Sequence, residues 1–374
     1  MASTYLTRTQ TAGNRRKGTF SAWVKRSALA YNYLMSWNST TSGTSLGDWI
    51  RFNGDALDVI KYTGSVVYRV QTNKLFRDTA AWYHIVVAYD SEQSTAANRI
   101  KIYVNGVQET SFQTSTYPSE DYDFEFNNNN IVACVGKNYN TEANFDGSMA
   151  MMEWVDGQQL TPAYFGSTDS NTGIWTPEAS STISDYGTNG FKLKMDTTSP
   201  GADTSGKGNT FTPSGTPTLT QGSPSNNWCT FNPLVNNAGE MMLLSNGNTS
   251  CQSNAAQGNS WKLAVSTFGM MSGKWYWEAK LVNINNNNYH GVMGSNVLVA
   301  NASNPMNATG FTGWNNGDGG EMLKDGNNTS NDYGTLADND ILGVACDVDN
   351  YTISIYKNGS ALVSNYALST TGRD

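Results

Sequence analysis

Ile102-Tyr103-Val104-Asn105-Gly106 is an alternating run of apolar residues that ends in Asn-Gly, and Ile355-Tyr356-Lys357-Asn358-Gly359 repeats the pattern later in the chain. Asn-Gly accepts the positive φ angles that a type I′ turn needs at both central positions, and this turn joins two antiparallel strands. Each copy therefore predicts a β-hairpin. Because the copies lie far apart and the sequence changes character between them, we predict two β-rich units in series.

The sequence around these hairpins predicts further strands. Between Arg99 and Val104, apolar residues alternate with polar ones, as in an antiparallel strand with one buried face. Only Thr161 to Phe165 indicates a helix, and it is a single turn with Pro after a Thr cap. We predict an all-β fold with strands at 19–26, 49–52, 57–61, 66–71, 82–89, 99–104, 131–135, 149–155, 241–245, 274–282, 290–293, 341–348 and 352–356.

Hydrophobic periodicity divides the chain into three parts. We predict a β-sandwich domain at 1–167, a connector rich in Thr, Ser, Gly and Pro at 168–224, and a second β-sandwich at 225–374. An ordered patch, 190–195, interrupts the connector. The final hairpin would have its second strand near 361–366, and the chain then stops, so we expect the second sandwich to be incomplete at its C-terminus.

Charge and hydropathy exclude several classes of partner. The chain of 374 residues has a formal net charge of −8, which is the opposite of the basic surface that nucleic acid requires. No stretch has the length and apolar character of a signal peptide or a membrane span, which predicts synthesis in a cytoplasm and no membrane insertion.

The few cysteines and histidines argue against a zinc site. The four cysteines are far apart, and the chain has only two histidines. Cys134 and Cys346 lie in apolar runs and are predicted to be buried thiols, whereas pairing of Cys229 with Cys251 is left open.

Four phrases in the first part resemble laminin-G-like, concanavalin A-like jelly rolls: Phe20 to Lys25, Trp82 to Asp90, Ile100 to Gly106 and Phe145 to Ala150. The resemblance covers roughly 18–166. It implies two curved antiparallel sheets packed face to face.

Three phrases in the second part resemble a SPRY domain, another β-sandwich: Ser272 to Glu278, Asp340 to Asp347 and Ile353 to Gly359. The last strands of that family are missing from this sequence. Trp275 and Trp277 alternate onto one face of the predicted strand and are expected to anchor the core.

The combination of both modules with the phrases Tyr186 to Phe191 and Ser223 to Trp228 resembles structural proteins of marine tailed phages. This resemblance implies a virion location, as a tail fibre or appendage that contacts other virion proteins and the host surface. By analogy with other fibres, we expect a homo-oligomer, plausibly a trimer, whose repeated modules multiply a modest affinity.

The strongest enzyme hypothesis rests on Asp121-Tyr122-Asp123-Phe124-Glu125. Strand alternation would place Asp121, Asp123 and Glu125 on one face, similar to the carboxylate row of retaining β-glucanases, whose two catalytic carboxyls lie about 5 Å apart. The row runs into four asparagines, which favours a solvated acidic turn. We therefore predict no catalytic residues and keep a glycoside hydrolase as an alternative function.

Other polar candidates receive structural interpretations. No cofactor or metal site is predicted, although Asp48, Asp55 and Asp58 lie in loop-like sequence that could hold Ca²⁺ in a related jelly roll. His84 lies inside a predicted strand without a nucleophile motif, and His290 has no better case, so both are expected to be structural.

Aromatic residues in predicted loops are the best binding candidates. A pyranose can stack on an aromatic ring while Asn and Asp side chains bond its hydroxyls. We predict a non-enzymatic adhesion protein that binds a host-surface glycan or protein; a SPRY-type adaptor is the second alternative. The candidate ligand-binding residues are Trp37, Trp49 and Tyr139 in the first unit, and Tyr289 and Trp314 in the second.

Overall fold

The computed structural model describes residues 4–39, 47–138, 144–178, 183–196, 199–235, 242–253, 262–284, 288–294, 309–317, 319–329 and 332–371. Within these ranges the regular elements are β-strands and two short 3-10 helices, Ala96–Asn98 and Pro162–Tyr164. The predicted all-β class is confirmed, and so is the single helical turn after Thr161. The chain divides into two compact units, Met1–Thr230 with Asn246–Asn248, and Phe231–Ser245 with Thr249–Asp374.

The first unit is built from two antiparallel sheets. Its strands are β1 (Tyr5–Thr9), β2 (Lys17–Arg26), β3 (Asn32–Ser39), β4 (Gly47–Asn53), β5 (Ala56–Tyr62), β6 (Val66–Leu75), β7 (Tyr83–Asp90), β8 (Ile100–Val104), β9 (Val107–Gln108), β10 (Phe112–Thr116), β11 (Ile131–Val135), β12 (Gly147–Asp156), β13 (Gly166–Thr168), β14 (Trp175–Pro177), β15 (Phe191–Leu193) and β16 (Thr212–Ser214). One sheet has the order β10-β6-β5-β4-β3-β11-β1-β16, and the other has the order β15-β12-β2-β7-β8-β9.

The two sheets share one apolar core, which makes the first unit a sandwich. Inward side chains of both sheets are buried in a single cluster, including Ile50 and Phe52 from β4 and Ile85 and Val87 from β7. The spacing of two residues between the members of each pair is the strand alternation that the sequence shows. A large aromatic residue, Trp154 on β12, fills the space between the sheets.

Both Asn-Gly turns have the predicted geometry. Asn105 and Gly106 have φ angles of 49° and 81°, and Asn358 and Gly359 have 49° and 82°. All four lie in the left-handed region, which type I′ turns require. The first turn connects β8 to β9.

The segment predicted as a connector, 168–224, contains ordered strands. Part of β13 and all of β14, which pair with each other, lie in it. β15, which falls within the ordered patch at 190–195, pairs with β12, and β16 pairs with β1. This segment therefore adds one edge strand to each sheet of the first unit.

The second unit also contains antiparallel sheets. Its strands are β17 (Leu243–Ser245), β18 (Ser250–Gln252), β19 (Lys274–Lys280), β20 (Tyr289–Met293), β21 (Phe311–Asn315), β22 (Glu321–Lys324), β23 (Asn327–Asn328), β24 (Ile341–Asp347), β25 (Thr352–Lys357) and β26 (Ser360–Ala367). Two four-stranded sheets have the orders β19-β24-β25-β26 and β20-β21-β22-β23. The predicted last hairpin is confirmed as β25 and β26.

A second core joins these two sheets. Trp314 and Met322 from one sheet and Val344 and Ile355 from the other are buried in the same cluster. Trp277 packs against this core as predicted. Trp275 does not, because 38% of its surface is exposed, and the prediction of a core anchor is wrong for it.

None of the four cysteines, all of which lie among the described residues, forms a disulfide bond: Cys134 and Cys346 are buried, as predicted, and Cys229 and Cys251 are exposed. Among the described residues, no helix has the length and apolar character needed to span a membrane.

His84 is a buried structural residue of β7, as the sequence predicts. Trp175 Nε1 donates a hydrogen bond of 2.9 Å to His84 Nδ1, so the proton lies on Nε2, which is 2.9 Å from Ser21 Oγ. Trp23 stacks on the imidazole with 4.8 Å between ring centroids. Burial lowers the pKa of His84 to about 3, and the ring is neutral in the fold.

The buried imidazole predicts that the first unit loses stability in mild acid. Because the pKa of His84 in the fold lies below its unfolded value of 6.5, the unfolded chain binds the proton first as the pH falls. The stabilising contribution is complete above about pH 6.5 and decreases below it, by at most about 1.4 kcal/mol per pH unit. His84→Gln should be less stable than the wild type at pH 8, and the difference should shrink between pH 6.5 and 4.5.

Hydrogen exchange of the β2 and β7 amides in the full chain measures the difference in stability of the first unit between the wild type and His84→Gln. His290→Gln is the control, because His290 lies on β20 in the second unit and its pKa is lowered, by burial, to about 4. It should leave the β2 and β7 exchange unchanged. If the stability difference between the wild type and His84→Gln stayed constant with pH, it would contradict the conclusion that the buried His84 is neutral in the fold.

Candidate functional site

Two predicted binding residues, Trp37 and Trp314, are core residues. Trp37 lies on β3 with its ring centroid 5.0 Å from that of Trp154, and Trp314 lies on β21. Both are fully buried. Their prediction as loop residues is wrong, and an indole covered on both faces cannot stack on a sugar.

The other three predicted aromatics have different positions. Tyr139 lies outside the described residues. Tyr289 lies on β20, not in a loop, and packs against the buried pair Phe311 and Leu323. Trp49 lies on β4 and is almost fully buried, so the loop placement is wrong for it too, but it faces away from the main core.

The acidic row is not a strand and does not form a catalytic pair. Asp121 and Asp123 are exposed, and both accept hydrogen bonds from Arg16, at 2.9 and 3.1 Å. Glu125 accepts a hydrogen bond of 2.9 Å from Lys61 Nζ. Each carboxylate therefore forms an ion pair with a basic side chain of the same unit, and Asp121 and Asp123 share Arg16.

Glu125 is also poorly suited to donate a proton. Partial burial raises its pKa, but the charge of Lys61 and the hydrogen bonds from Lys61 and Asn128 outweigh burial, and the net shift is downward. The acid of a glycoside hydrolase needs the opposite shift.

The three aspartates considered for calcium are separated by their ion pairs. Asp48 faces inward on β4 and accepts a hydrogen bond of 3.0 Å from Tyr68. Asp55 pairs with Arg77 at 2.6 Å, and Asp58 binds two arginines on the opposite face of the sheet. No cluster of three metal-ligating side chains occurs among the described residues.

The outer face of the eight-stranded sheet holds a cluster of aromatic and charged side chains that loop reasoning missed. Strand register places Tyr33, Arg51 and Asp58 in one row across β3, β4 and β5. The next row across β4, β5 and β6 contains Trp49, Ile60 and Arg69. We call this cluster the Trp49 surface; its members are Tyr31, Tyr33, Trp49, Arg51, Asp58, Ile60, Tyr62 and Arg69.

The aromatic rings of the Trp49 surface form two layers. Trp49 is the lower layer, with Tyr33 edge-on at 5.6 Å and Tyr62 stacked at 5.9 Å between centroids. Tyr31 lies above Tyr33 at 5.5 Å and keeps 41% of its surface exposed. Tyr62 is also partly exposed. The buried rings thus support two tyrosines that solvent can reach.

Arg51 holds the upper and lower layers together. Its guanidinium carbon lies 4.5 Å from the centroid of the Tyr31 ring, 5.2 Å from Trp49 and 5.7 Å from Tyr33. Cations above aromatic faces are attracted by the ring quadrupole. Burial lowers the pKa of Arg51, and the neighbouring Asp58 carboxylate opposes that shift.

Asp58 is the acceptor for both arginines of the Trp49 surface. Arg51 Nε donates to Oδ2 at 2.9 Å, and Arg69 Nε donates to Oδ1 at 2.8 Å. Arg69 Nη2 adds a third bond, to Oδ2, at 3.2 Å. Asp58 is fully buried, whereas 23% of the Arg69 side chain is exposed.

The sequence contains the signal for this surface in two short stretches. In Trp49-Ile50-Arg51-Phe52 and Leu57-Asp58-Val59-Ile60, apolar residues of the core alternate with the members of the surface. Alternation predicts that Trp49 and Arg51 share a face. Which partner they meet depends on the register of β4 with β5, which the alternation does not specify.

The first unit also has a cleft next to the edge strands β9 and β10 of its two sheets. This cleft of about 360 Å³ is lined by residues of β8, β9 and β10 and the segments that follow them, including Lys101, Glu109, Phe112 and Tyr117. Glu109 is paired with Lys74. The cleft offers no exposed aromatic face comparable with Tyr31.

The comparison with protein families matches the first unit. Residues 2–163 match Laminin_G_3, the Concanavalin A-like lectin/glucanases superfamily. No curated protein matches the sequence.

Several solved structures are similar in shape. They include a native heptameric SAP-like pentraxin from Limulus polyphemus, with 14% identity, a TM-score of 0.33 and coverage of 43% of this chain and 72% of that one. A putative carbohydrate binding protein from Bacteroides ovatus has 15% identity, a TM-score of 0.35 and coverage of 58% and 59%. The CBM40 of the Ruminococcus gnavus IT-sialidase has 14% identity, a TM-score of 0.32 and coverage of 42% and 92%.

Similarity at these values does not transfer a ligand or an activity to this chain. The family match and the observed architecture, two antiparallel sheets around one core, indicate the same fold without reference to these solved structures. The first unit contains a concanavalin A-like jelly-roll domain of the laminin-G type.

Proposed function

We propose that this protein binds glycans without cleaving them, and that the Trp49 surface of the first unit is the binding site. The observation on which the proposal rests is the pair of solvent-accessible rings, Tyr62 stacked on the buried Trp49 and Tyr31 packed against Tyr33. Flat aromatic faces next to hydrogen-bonding groups suit a pyranose, which has an apolar face and a rim of hydroxyls.

Rigidity supports this proposal. Tyr31 and Tyr62 contact Arg51 and Trp49, which are held by strand pairing and by the Asp58 carboxylate. Binding costs less entropy when the contacting side chains are already ordered. A sugar would therefore meet an ordered surface.

The glycoside hydrolase alternative has less support. Asp121 and Asp123 pair with Arg16, Glu125 pairs with Lys61, and the pKa of Glu125 is lowered, which is the opposite of what a catalytic acid needs. The SPRY-type adaptor requires a peptide-binding role for the second unit, and no described contact favours it over glycan binding by the first.

We further propose that the protein is a virion component, a phage tail fibre or appendage that attaches to the host surface. The support is the resemblance of the paired modules and their connecting phrases, with the second unit as the SPRY-like module. A homo-oligomer would give such a protein the avidity that single glycan sites lack.

Removing either accessible ring should weaken glycan binding. Tyr31→Ala and Tyr62→Ala should each reduce affinity about tenfold or more, because truncation of a central aromatic contact commonly removes more than about 1.4 kcal/mol. Glycan-array binding followed by calorimetry on the best ligand measures the effect. Tyr164→Ala is a matched control, since Tyr164 is 40% exposed and lies in the 3-10 helix Pro162–Tyr164.

The control should bind like the wild type. Equal affinity for wild type and Tyr31→Ala would remove the Trp49 surface as the site.

The bound glycan should be recovered intact. We expect no release of reducing ends from ligands identified on the array, and Asp123→Asn and Glu125→Gln should bind as well as the wild type. Steady turnover by the wild type that both substitutions abolish would establish the hydrolase instead.

The full chain should assemble. Light scattering coupled to size-exclusion chromatography is expected to give about three times the chain mass of 40.6 kDa, and binding to a dense glycan surface should exceed binding to the same glycan in solution. A monomer at micromolar concentration would contradict the fibre assignment while leaving glycan binding by each chain intact.

A further inference from the structure

We propose that the glycan recognised at the Trp49 surface bears an anionic group, a carboxylate or a sulfate, and that Arg69 binds it. This inference rests on the proposed function, because it specifies the ligand class of the same site. The inference follows from the charges of the Trp49 surface and from the N–H donors of Arg69 that remain available to a ligand.

The Trp49 surface has an excess positive charge. Two guanidinium groups, those of Arg51 and Arg69, meet the single carboxylate of Asp58. Both oxygens of that carboxylate already accept hydrogen bonds from the arginines. One positive charge is therefore left without a matching negative charge within the surface.

Arg51 cannot supply that charge to a ligand. Its side chain is almost fully buried and lies beneath the Tyr31 ring, while its Nη1 is 3.3 Å from the Tyr33 hydroxyl. Its role is to fix Asp58 and the two tyrosines.

Arg69 is the accessible arginine of the surface. Its Nε and Nη2 bind Asp58, which fixes the plane of the guanidinium, and its Nη1 has no partner among the described residues. The side chain is partly exposed. A guanidinium with a fixed plane and free N–H groups favours a carboxylate or sulfate, which accepts two hydrogen bonds at once.

Arg69 also lies beside one of the stacking rings. It is opposite Ile60 in the register of β5 with β6, and Tyr62 is the next residue of β5 on the same face. The register shifts between Lys61 and Tyr62, but diagonal neighbours on one face of a strand pair are within reach of long and aromatic side chains, so one ligand can contact both. Tyr62 would stack on the sugar ring while Arg69 binds the acid.

The negative net charge of the chain does not prevent an anionic group from binding at Arg69. The formal charge of −8 is spread over 374 residues, and at physiological ionic strength charges farther than about 8 Å are largely screened. The local excess at Arg69 decides the sign of the potential that the bound group experiences.

The experiment compares oligosaccharides that differ only in the acid. The probes are lactose, its sialylated form and its sulfated form, together with galacturonate oligomers and the matching neutral galactose oligomers. The wild-type full chain should bind at least one acidic probe tenfold or more tightly than its neutral counterpart. Increasing the salt from 50 to 500 mM should reduce this preference, since the contact is partly exposed.

Arg69→Gln should remove the preference, so that the acidic probe and its neutral counterpart bind with equal affinity. Glutamine can still donate to Asp58, and Arg69→Lys, which keeps the charge but loses the planar fork, should retain part of the preference. Arg77→Gln is the control, since the exposed Arg77, with 63% of its side chain accessible, pairs with Asp55 outside the Trp49 surface. Thermal unfolding of each variant checks that the fold is intact.

The outcomes separate the two proposals. Equal binding of acidic and neutral probes that Tyr31→Ala abolishes would overturn the anionic ligand and keep glycan binding. An acid preference that survives in Arg69→Gln would overturn the role of Arg69. Absence of binding to any glycan on the array would overturn both proposals together. Carboxylated and sulfated probes bound with unequal affinity identify which anion the site takes.

Discussion

The packing of Trp37 against Trp154 fixes the arrangement of the first unit. Trp37 belongs to the eight-stranded sheet and Trp154 to the six-stranded sheet, with 5.0 Å between ring centroids. Phe126 packs on both rings, and Trp154 Nε1 donates to Asn127 Oδ1 at 3.0 Å. Truncating a buried tryptophan destabilises a protein by about 3–5 kcal/mol. This contact sets which face of each sheet is turned inward.

The side chains that a strand turns toward the core determine which of its side chains point outward. Because Ile50 and Phe52 of β4 must enter the core, Trp49 and Arg51 must point away from it. A shift by one residue would place a guanidinium among the aromatic side chains of the core. The Trp49 surface is thus positioned by the same pattern that drives folding, and all of its members except Tyr31, which precedes β3, lie on paired strands.

The sequence predicts the parts of the fold that depend on local signals. Asn105-Gly106 and Asn358-Gly359 gave correct turns, and β11 has the predicted bounds. Alternation does not predict β3, because polar residues lie among its buried ones. The sequence pattern therefore places Trp37 in a loop. The pairing of Arg51 with Asp58 depends on register between strands, which composition and alternation leave open.

Stability alone does not account for the charges on the Trp49 surface. Asp58 and Arg51 are buried, and the cost of removing such ions from water offsets much of their mutual attraction, so that well-packed apolar residues of similar volume often stabilise a fold as well as a buried ion pair does. The lowered pKa of Arg51, caused by burial, shows that its charged form is disfavoured there relative to water. What the charges do provide is orientation: Asp58 fixes the Arg69 guanidinium, and Arg51 fixes the Tyr31 ring. Under the proposed function, the buried ions of the Trp49 surface orient a partly exposed arginine and an exposed tyrosine toward a ligand, whereas Asp121 and Glu125 of the acidic row only form ion pairs with Arg16 and Lys61.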